Sequence, residues 1–172
     1  MANYCWTNVQ IYSENDKIHD HIDQLYKNVE DYDDIKGCVE ALFGSYEEYP
    51  IDEIGSKWIC LEDGPNRDSD DLTTLRFCSA WSFPGSYIEK LLDSIIGIDQ
   101  HTYLTFDVDE ESDDFIIGGC GNSSGFKYYE EESPERPNFE DEDYDALIDD
   151  FYDEVYKLKE SFIDDAIKYL NE

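Results

Sequence analysis

The histidines and cysteines are the residues of this 172-residue chain whose types most often carry catalytic or metal-binding chemistry. His19 and His21 are two positions apart, so on a helix they would point about 200° apart and would not share a metal ion. We interpret these two, and His101 in a predicted turn, as surface histidines. The cysteines are odd in number and scattered, which is typical of buried, reduced thiols rather than of a zinc site or a disulfide framework. They are Cys5, Cys38, Cys60, Cys78 and Cys120.

Two further segments have the composition of ligand-binding loops without the decisive residues. A calcium-loop spacing begins at Asp107 but fails at its sixth and twelfth positions, where Ser112 and Gly118 stand. The glycine- and serine-rich run 118–125 resembles a phosphate-binding loop, yet it lacks the Lys-Ser/Thr pair and has acidic flanks. We therefore predict a flexible turn at 118–125, and no catalytic residue, cofactor or metal site in the chain.

Apolar periodicity predicts the elements that must position these residues. Strands are expected at 9–12, 58–61, 75–78, 104–108 and 115–117, and helices at 18–29, 35–43 and 84–95. An acidic loop is expected at 62–71, and a long amphipathic helix beyond Asp143. This order predicts an α+β fold with helices covering one face of a mainly antiparallel sheet. We divide the chain into a domain at 1–120, an acidic Gly/Ser/Pro-containing linker at 121–142, and a C-terminal helix at 143–172 that packs on the domain.

The junction between the third strand and the third helix carries Trp81 and Pro84. These two residues would suit a binding edge, but core packing at a strand–helix junction is the interpretation we favour.

Acidity is the dominant property of the composition. The chain has 44 Asp and Glu against 12 Lys and Arg, a formal net charge of −32. Such a charge excludes a protein that binds nucleic acid or an anionic membrane through a basic patch. Aromatic residues make up 15% of the chain, which indicates a folded domain rather than a disordered acidic tail. No apolar run is long enough for a membrane span, so we expect a protein of the cytoplasm of a bacterial host.

The predicted C-terminal helix carries rows of like charge. Asp145, Asp149 and Asp153 repeat at i, i+4, with Asp150 and Glu154 beside them. Like-charged pairs at this spacing weaken a helix by some tenths of a kcal/mol each. Four residues rise about 6 Å, so the carboxylates recur at intervals comparable with phosphates along a nucleic-acid strand. Helix stability alone disfavours this pattern, and it therefore points to function.

Three motifs resemble a family of uncharacterised plasmid and phage proteins with a ferredoxin-like domain. The chain begins Met1-Ala-Asn-Tyr-Cys5-Trp, where family members have Met, a small residue or proline, then Asn-Trp-Cys. The family's strand followed by Ser-x-Trp-x-x-Pro is matched at Phe77–Pro84, and its acidic strand pair at Asp107–Gly119. Tyr4 departs from the usual Trp. The resemblance, over residues 1–120, implies a βαββαβ sheet and a mobile-element setting, and it carries over no catalytic residue.

Three functions are consistent with these features. The leading hypothesis is a non-enzymatic nucleic-acid mimic that inhibits a basic DNA- or RNA-binding host protein, as an anti-restriction or anti-CRISPR inhibitor. The alternative is an immunity protein or antitoxin that neutralises a basic nuclease toxin, and the third is a small enzyme using a cysteine or carboxylate. For the first two, no direct contact with nucleic acid or membrane is expected. The predicted partner-binding residues are Glu130, Glu131, Glu132, Glu135, Glu140, Asp141, Glu142, Asp143, Asp145, Asp149, Asp150, Asp153 and Glu154, then Asp107, Asp109, Glu110, Glu111, Asp113 and Asp114.

Overall fold

Six strands and four helices lie within the residues described by the computed structural model, which are 3–29, 34–44, 54–140 and 143–172. The strands are β1 (Tyr4–Tyr12), β2 (Ile59–Ser69), β3 (Leu72–Ala80), β4 (Tyr103–Glu110), β5 (Phe115–Asn122) and β6 (Gly125–Glu132). The helices are α1 (Asp16–Tyr26), α2 (Ile35–Phe43), α3 (Gly85–Ile96) and α4 (Tyr144–Leu170).

All six strands form one sheet in the order β2-β3-β1-β4-β5-β6, and every neighbouring pair is antiparallel. The predicted α+β class with an antiparallel sheet and a C-terminal helix is confirmed. The sheet is wider than a four-stranded βαββαβ layout, because β5 and β6 extend it beyond β4. Short connections between β2 and β3 and along β4-β5-β6 favour this hairpin pairing.

Helices α1, α2 and α3 cover one face of the sheet, where the main hydrophobic core lies. Alternate residues of the central strands point into this core, as the two-residue period of a strand requires. On β1 they include Val9 and Ile11, and on β4 Leu104 and Phe106, all buried. The helices contribute their apolar stripes, such as Leu91 of α3. This layer matches the prediction of helices on one face.

Helix α4 instead packs on the opposite face, so the sheet lies between two helical layers over β5 and β6. A Cβ on Gly118 would lie 3.2 Å from Phe162 of α4, while one on Gly121 would lie 2.5 Å from Leu92 of α3. Cys120, Ala166 and Leu170 form a second, smaller core on the α4 side. The glycines of β5 thus allow helices to pack closely on both faces of the sheet. This was not expected, because the segment was predicted to be a flexible turn.

Two segments predicted as irregular are strands. β2 continues to Ser69 through most of the predicted acidic loop at 62–71, with register irregularities that keep its charged residues outward. The predicted linker at 121–142 begins with the end of β5 and contains all of β6. The predicted flexible turn at 118–125 is likewise mostly strand, with its turn at Ser123 and Ser124. The two strands missed in part or in full by the prediction, β2 and β6, are the edge strands of the sheet. Edge strands carry many charged residues because one side of their backbone faces water, and these residues obscure the alternation of apolar and polar positions.

Candidate acidic interface

Antiparallel pairing places one end of each of five strands side by side, at the same end of the sheet. The start of β1 meets the ends of β3 and β4, through the pairs Tyr4–Ala80 and Cys5–Glu110. The start of β5 meets the end of β6, through the pair Phe115–Glu132. The β4–β5 turn therefore lies beside the last residues of β6. Acidic residues that are far apart in the sequence converge here.

We call this region the acidic end and define it by the carboxylates at these strand ends, between β6 and α4, and on the first part of α4. Its members are exposed or half-buried. They are Glu110, Glu111, Asp113, Asp114, Glu130, Glu131, Glu132, Glu135, Glu140, Asp143, Asp145, Asp149, Asp150, Asp153 and Glu154. All were predicted as partner-binding residues. The two others predicted in this stretch, Asp141 and Glu142, lie outside the described residues.

Arg136 connects the three parts of the acidic end. Its Nη1 donates to Asp113 Oδ2 at 2.9 Å, and its Nη2 donates to the hydroxyl of Tyr152 on α4 at 3.2 Å. Just before it, Ser133 N donates to the backbone oxygen of Asp114 at 2.9 Å. Arg136 is 45% exposed, so this ion pair contributes little to stability. These contacts show that the chain after β6 lies beside the β4–β5 turn and α4.

The carboxylates of the α4 rows all face solvent. Asp145, Asp149 and Asp153 are exposed, as are Asp150 and Glu154 beside them. The same helix turns Phe151 inward, where it is 4% exposed. The predicted acidic face is therefore confirmed, whereas the predicted apolar stripe is buried only in part from Phe151 onward, and its first member, Leu147, is 42% exposed.

Two of the predicted residues, Asp107 and Asp109, are half-buried and pair instead with a lysine of the protein itself. They lie on β4 beneath α4, where the 8%-exposed Lys159 binds both: its Nζ is 3.4 Å from Asp107 Oδ1 and closer still to Asp109 Oδ1. Asn8 Nδ2 donates to a carboxylate oxygen of each at 3.1 Å. These carboxylates bind the chain's own lysine, so they are poorly placed to meet a partner.

Burial acts differently on these two carboxyls. It raises the pKa of Asp107 above the ordinary value, despite the opposing charge of Lys159. Burial also disfavours the ionised form of Asp109, but there the hydrogen bond and charge of Lys159 outweigh it and lower the pKa. The ammonium lies nearer Asp109, which explains the difference.

A groove of about 1020 Å³ runs between α4 and the part of the sheet that α4 leaves open. Its floor includes Tyr12 and Tyr103, whose rings stack at 4.7 Å between centroids. The Tyr12 hydroxyl donates to Gln10 Oε1 at 2.6 Å. Tyr156 and Lys159 of α4 form the wall. One sequence feature indicates this face: polar and aromatic residues stand at every second position of β1.

Aromatic side chains adjoin the acidic end on β1 and at the end of β3. Tyr4 packs against Trp6 and Trp58, with ring centroids 5.9 and 5.7 Å apart, and Trp6 Nε1 donates to Glu62 Oε1 at 3.0 Å. The expected core packing of Trp81 is wrong: its side chain is 62% exposed. The backbone of Trp81 is left-handed, with φ of 76°, which turns the ring away from the core.

The histidines divide between the surface and the core. His101 is exposed, as predicted, but His19 is 2% exposed. Its Nδ1 is 2.6 Å from Thr73 Oγ1 and its Nε2 is 3.0 Å from the backbone oxygen of Ser13, so it joins α1 to β3. His21 is half-buried, and burial lowers its pKa. The surface prediction was wrong for His19, because only the apolar residues of α1 were used to predict which face of the helix is buried.

The predicted burial of the five cysteines is confirmed. Burial is the main cause that raises the pKa of Cys5 and of Cys38 to about 12 and that of Cys120 to about 11. These three thiols are protonated at neutral pH and are poor nucleophiles. Cys38 belongs to a buried network in which the Tyr87 hydroxyl donates to its backbone oxygen at 2.6 Å and lies 3.2 Å from the Tyr26 hydroxyl.

Within the described residues there is no group of three or more His, Cys, Asp or Glu placed to hold a metal ion. In that part of the chain no helix has the length and apolar character needed to cross a bilayer. Comparison with protein-family models, with curated proteins and with solved structures finds no match.

Proposed function

We propose that this protein is a non-enzymatic nucleic-acid mimic that binds the DNA- or RNA-binding surface of a basic protein in a bacterial host. Carboxylates of the acidic end would occupy the positions that phosphates take in the partner's nucleic-acid complex. The observation that supports the proposal best is the convergence of acids from the β4–β5 turn, from β6 and from α4 at one end of the molecule. Convergence of separate segments gives a continuous charged surface, which steers association with a basic partner.

The exposed rows of α4 support the same conclusion. The helix is 27 residues long, about 40 Å, and its acidic face begins at the acidic end. Solvent-facing carboxylates in rows repel one another and give the isolated helix no benefit. A partner that supplies arginine and lysine along this face would remove that repulsion on binding. Inhibition of a defence nuclease is the outcome we propose for such a complex.

The chain also supports a proposal on its origin. The elements β1-α1-β2-β3-α3-β4, with α2 inserted, follow one another in the order of a ferredoxin-like βαββαβ unit. We propose that this unit is the ancestral domain, in keeping with the resemblance to plasmid and phage proteins. β5, β6 and α4 would then be additions that supply most of the acidic end.

An affinity capture from a bacterial lysate, repeated between about 50 and 500 mM salt, tests the function. We expect a basic nucleic-acid-binding protein that is released as salt rises, and that is displaced by added DNA or RNA. Capture of neutral or acidic proteins, or capture that is insensitive to salt, would contradict the proposal. A captured toxin nuclease in place of a defence nuclease would assign the protein to the immunity class.

Matched charge variants locate the surface. Changing Asp145, Asp149 and Asp153 to asparagine removes three charges from the acidic end. The control, Glu160→Gln with Asp164→Asn and Asp165→Asn, removes three exposed charges from the other half of the same helix. We expect the first variant to bind the captured partner more weakly and the control to bind it nearly as the wild type does. Equal losses would show that net charge, rather than this surface, determines binding.

A further inference from the structure

Trp81 is the most exposed of the three tryptophans and stands where β3 gives way to the segment before α3. Its side chain is 62% exposed, whereas Trp6 and Trp58 are half-buried. Tryptophan is usually well buried, and it is enriched at the energetic centres of protein interfaces. The exposure of Trp81 is therefore unusual for this residue type.

The surrounding backbone holds Trp81 in this exposed position. Its φ of 76° is left-handed, a conformation that is costly for a bulky side chain. Trp81 N donates to the backbone oxygen of Asn3 at 2.8 Å. The next residue is fixed as well, because Ser82 Oγ donates to the Gly55 oxygen at 2.7 Å and its own oxygen accepts from Ser79 Oγ at 3.0 Å. The loop thus presents the ring to solvent in a defined place.

One cation lies over this ring, and the acidic end begins on nearby strands of the sheet. Lys57 Nζ lies over it, 5.3 Å from the ring centroid. Asn3, which accepts from Trp81 N, donates its Nδ2 to Glu110 Oε1 at 2.8 Å, so the acidic end begins one residue away. The side chain of Glu111 accepts from the backbone N of Tyr4 at 3.2 Å. An exposed aromatic face next to an acidic surface is suited to a guanidinium group, which stacks on the ring and is attracted by the acids.

We propose that Trp81 is the anchor of the partner interface and receives an arginine side chain of the basic partner in place of Lys57. This inference rests on the proposed function, because it takes the partner to be basic. Arginine is favoured over lysine since its planar group stacks on an indole and donates in several directions at once, whereas an ammonium remains strongly hydrated. The charged surface accounts for attraction, and Trp81 adds selectivity for arginine-rich sites.

Nona-arginine and nona-lysine peptides test the inference by titration calorimetry at low salt. The variant is Trp81→Gly, because glycine adopts a positive φ without strain. We expect its affinity for nona-arginine to fall about two- to fivefold, the effect of one exposed cation–π contact, and its affinity for nona-lysine to fall less. Trp81→Asn, which also tolerates the left-handed region, replaces the glycine variant if that protein does not fold.

Tyr169→Ala is the matched control. Tyr169 is 61% exposed and has Lys127 Nζ 5.4 Å from its ring centroid, so it repeats the surroundings of Trp81 at the far end of α4. We expect this variant to bind both peptides as the wild type does. Equal losses in the Tyr169 and Trp81 variants, or equal losses for the two peptides with Trp81→Gly, would overturn the anchor.

The result also separates this inference from the proposed function. If the triple asparagine variant of α4 binds nona-arginine weakly while Trp81→Gly binds normally, the acidic surface stands and the anchor is wrong. If the wild type binds neither peptide at low salt, both proposals fail.

Discussion

Replacing Lys159 with methionine tests how α4 is held on the sheet. Lys159 is buried to 8% exposure between α4 and β4, and it forms ion pairs with Asp107 and Asp109. Methionine has a similar length and no charge, so the substitution removes the ion pairs while keeping most of the packing. Both carboxylates would then lie beneath the helix with Asn8 as their remaining hydrogen-bond donor among the contacts described.

The size of the effect follows from burial. Breaking a fully buried pair by removing one partner costs about 3–5 kcal/mol. Here the carboxylate side chains are 30% and 47% exposed, so water compensates part of the loss. We expect the free energy of unfolding to fall by about 2–3 kcal/mol at pH 7. For a chain of this length that corresponds to a melting temperature lower by about 4–12 °C.

The two carboxylates should respond in opposite ways to neutralisation. The pKa of Asp107 is raised in the folded protein, so its ionised form destabilises the fold, and that cost appears as the pH rises through the folded pKa. Asp107→Asn should therefore be neutral or stabilising at pH 7. The pKa of Asp109 is lowered, so its stabilisation is present above the ordinary value and is lost as the pH falls through the folded pKa. Asp109→Asn should destabilise the protein at pH 7.

Thermal and urea unfolding at pH 7 and pH 5 measure these effects. In Lys159→Met both carboxyls lack their cation, so protonation should bring the variant closer to the wild type at the lower pH. Lys157→Met, at an exposed position of the same helix, is the control and should change stability by less than about 0.5 kcal/mol. Unfolding of Lys159→Met like that of the control would contradict the structural role of these ion pairs, and so would an Asp107→Asn variant that is less stable than Asp109→Asn.

Three further predictions concern the core and the helix ends. Gly119→Ala should lower the free energy of unfolding by about 1–3 kcal/mol in urea titrations, because its Cβ would lie 2.5–2.7 Å from a backbone oxygen and two side-chain carbons; an unchanged midpoint would contradict the close packing. Cys5, Cys38 and Cys120 should resist iodoacetamide at pH 8 in the native protein and react in urea, because burial raises each thiol pKa to about 11 or 12; rapid native labelling found by mass spectrometry would contradict this. Asp34→Ala should cost about 1 kcal/mol, since the carboxylate accepts a hydrogen bond from the first turn of α2, while Asp34→Asn should cost much less in the same thermal melts.

The elements that the sequence predicted well are those with a complete local pattern. Helix α4 shows a 3.6-residue apolar repeat over seven turns, and the structure places it at Tyr144–Leu170, as expected beyond Asp143. Its acidic rows were predicted to face solvent and do so. β6 was missed because its last three residues are all glutamates, although Glu131 pairs with the buried Ile116 of β5.

The acidic end was predictable in its composition but not in its shape. The sequence indicated that Asp107 and Asp109 belong with the other acids, but the structure turns them beneath α4 to Lys159. Lys159 itself gave no signal, since a lysine within an amphipathic helix is usually solvated. Trp81 was expected in the core because aromatic residues at a strand–helix junction are usually buried. Its positive φ could not be predicted from the sequence.

The charge, the α+β class and the acidic face of the last helix can be predicted from the sequence, because they depend on composition and on repeats of two or four residues. Tertiary contacts place α4 on the face of the sheet opposite the other helices, and they bring the acids of the β4–β5 turn and β6 to those of α4. Strand order and helix placement depend on contacts between residues far apart in the chain, chosen by how well whole surfaces pack. The glycines of β5 and the buried lysine of α4 allow that packing here, and no local pattern records it.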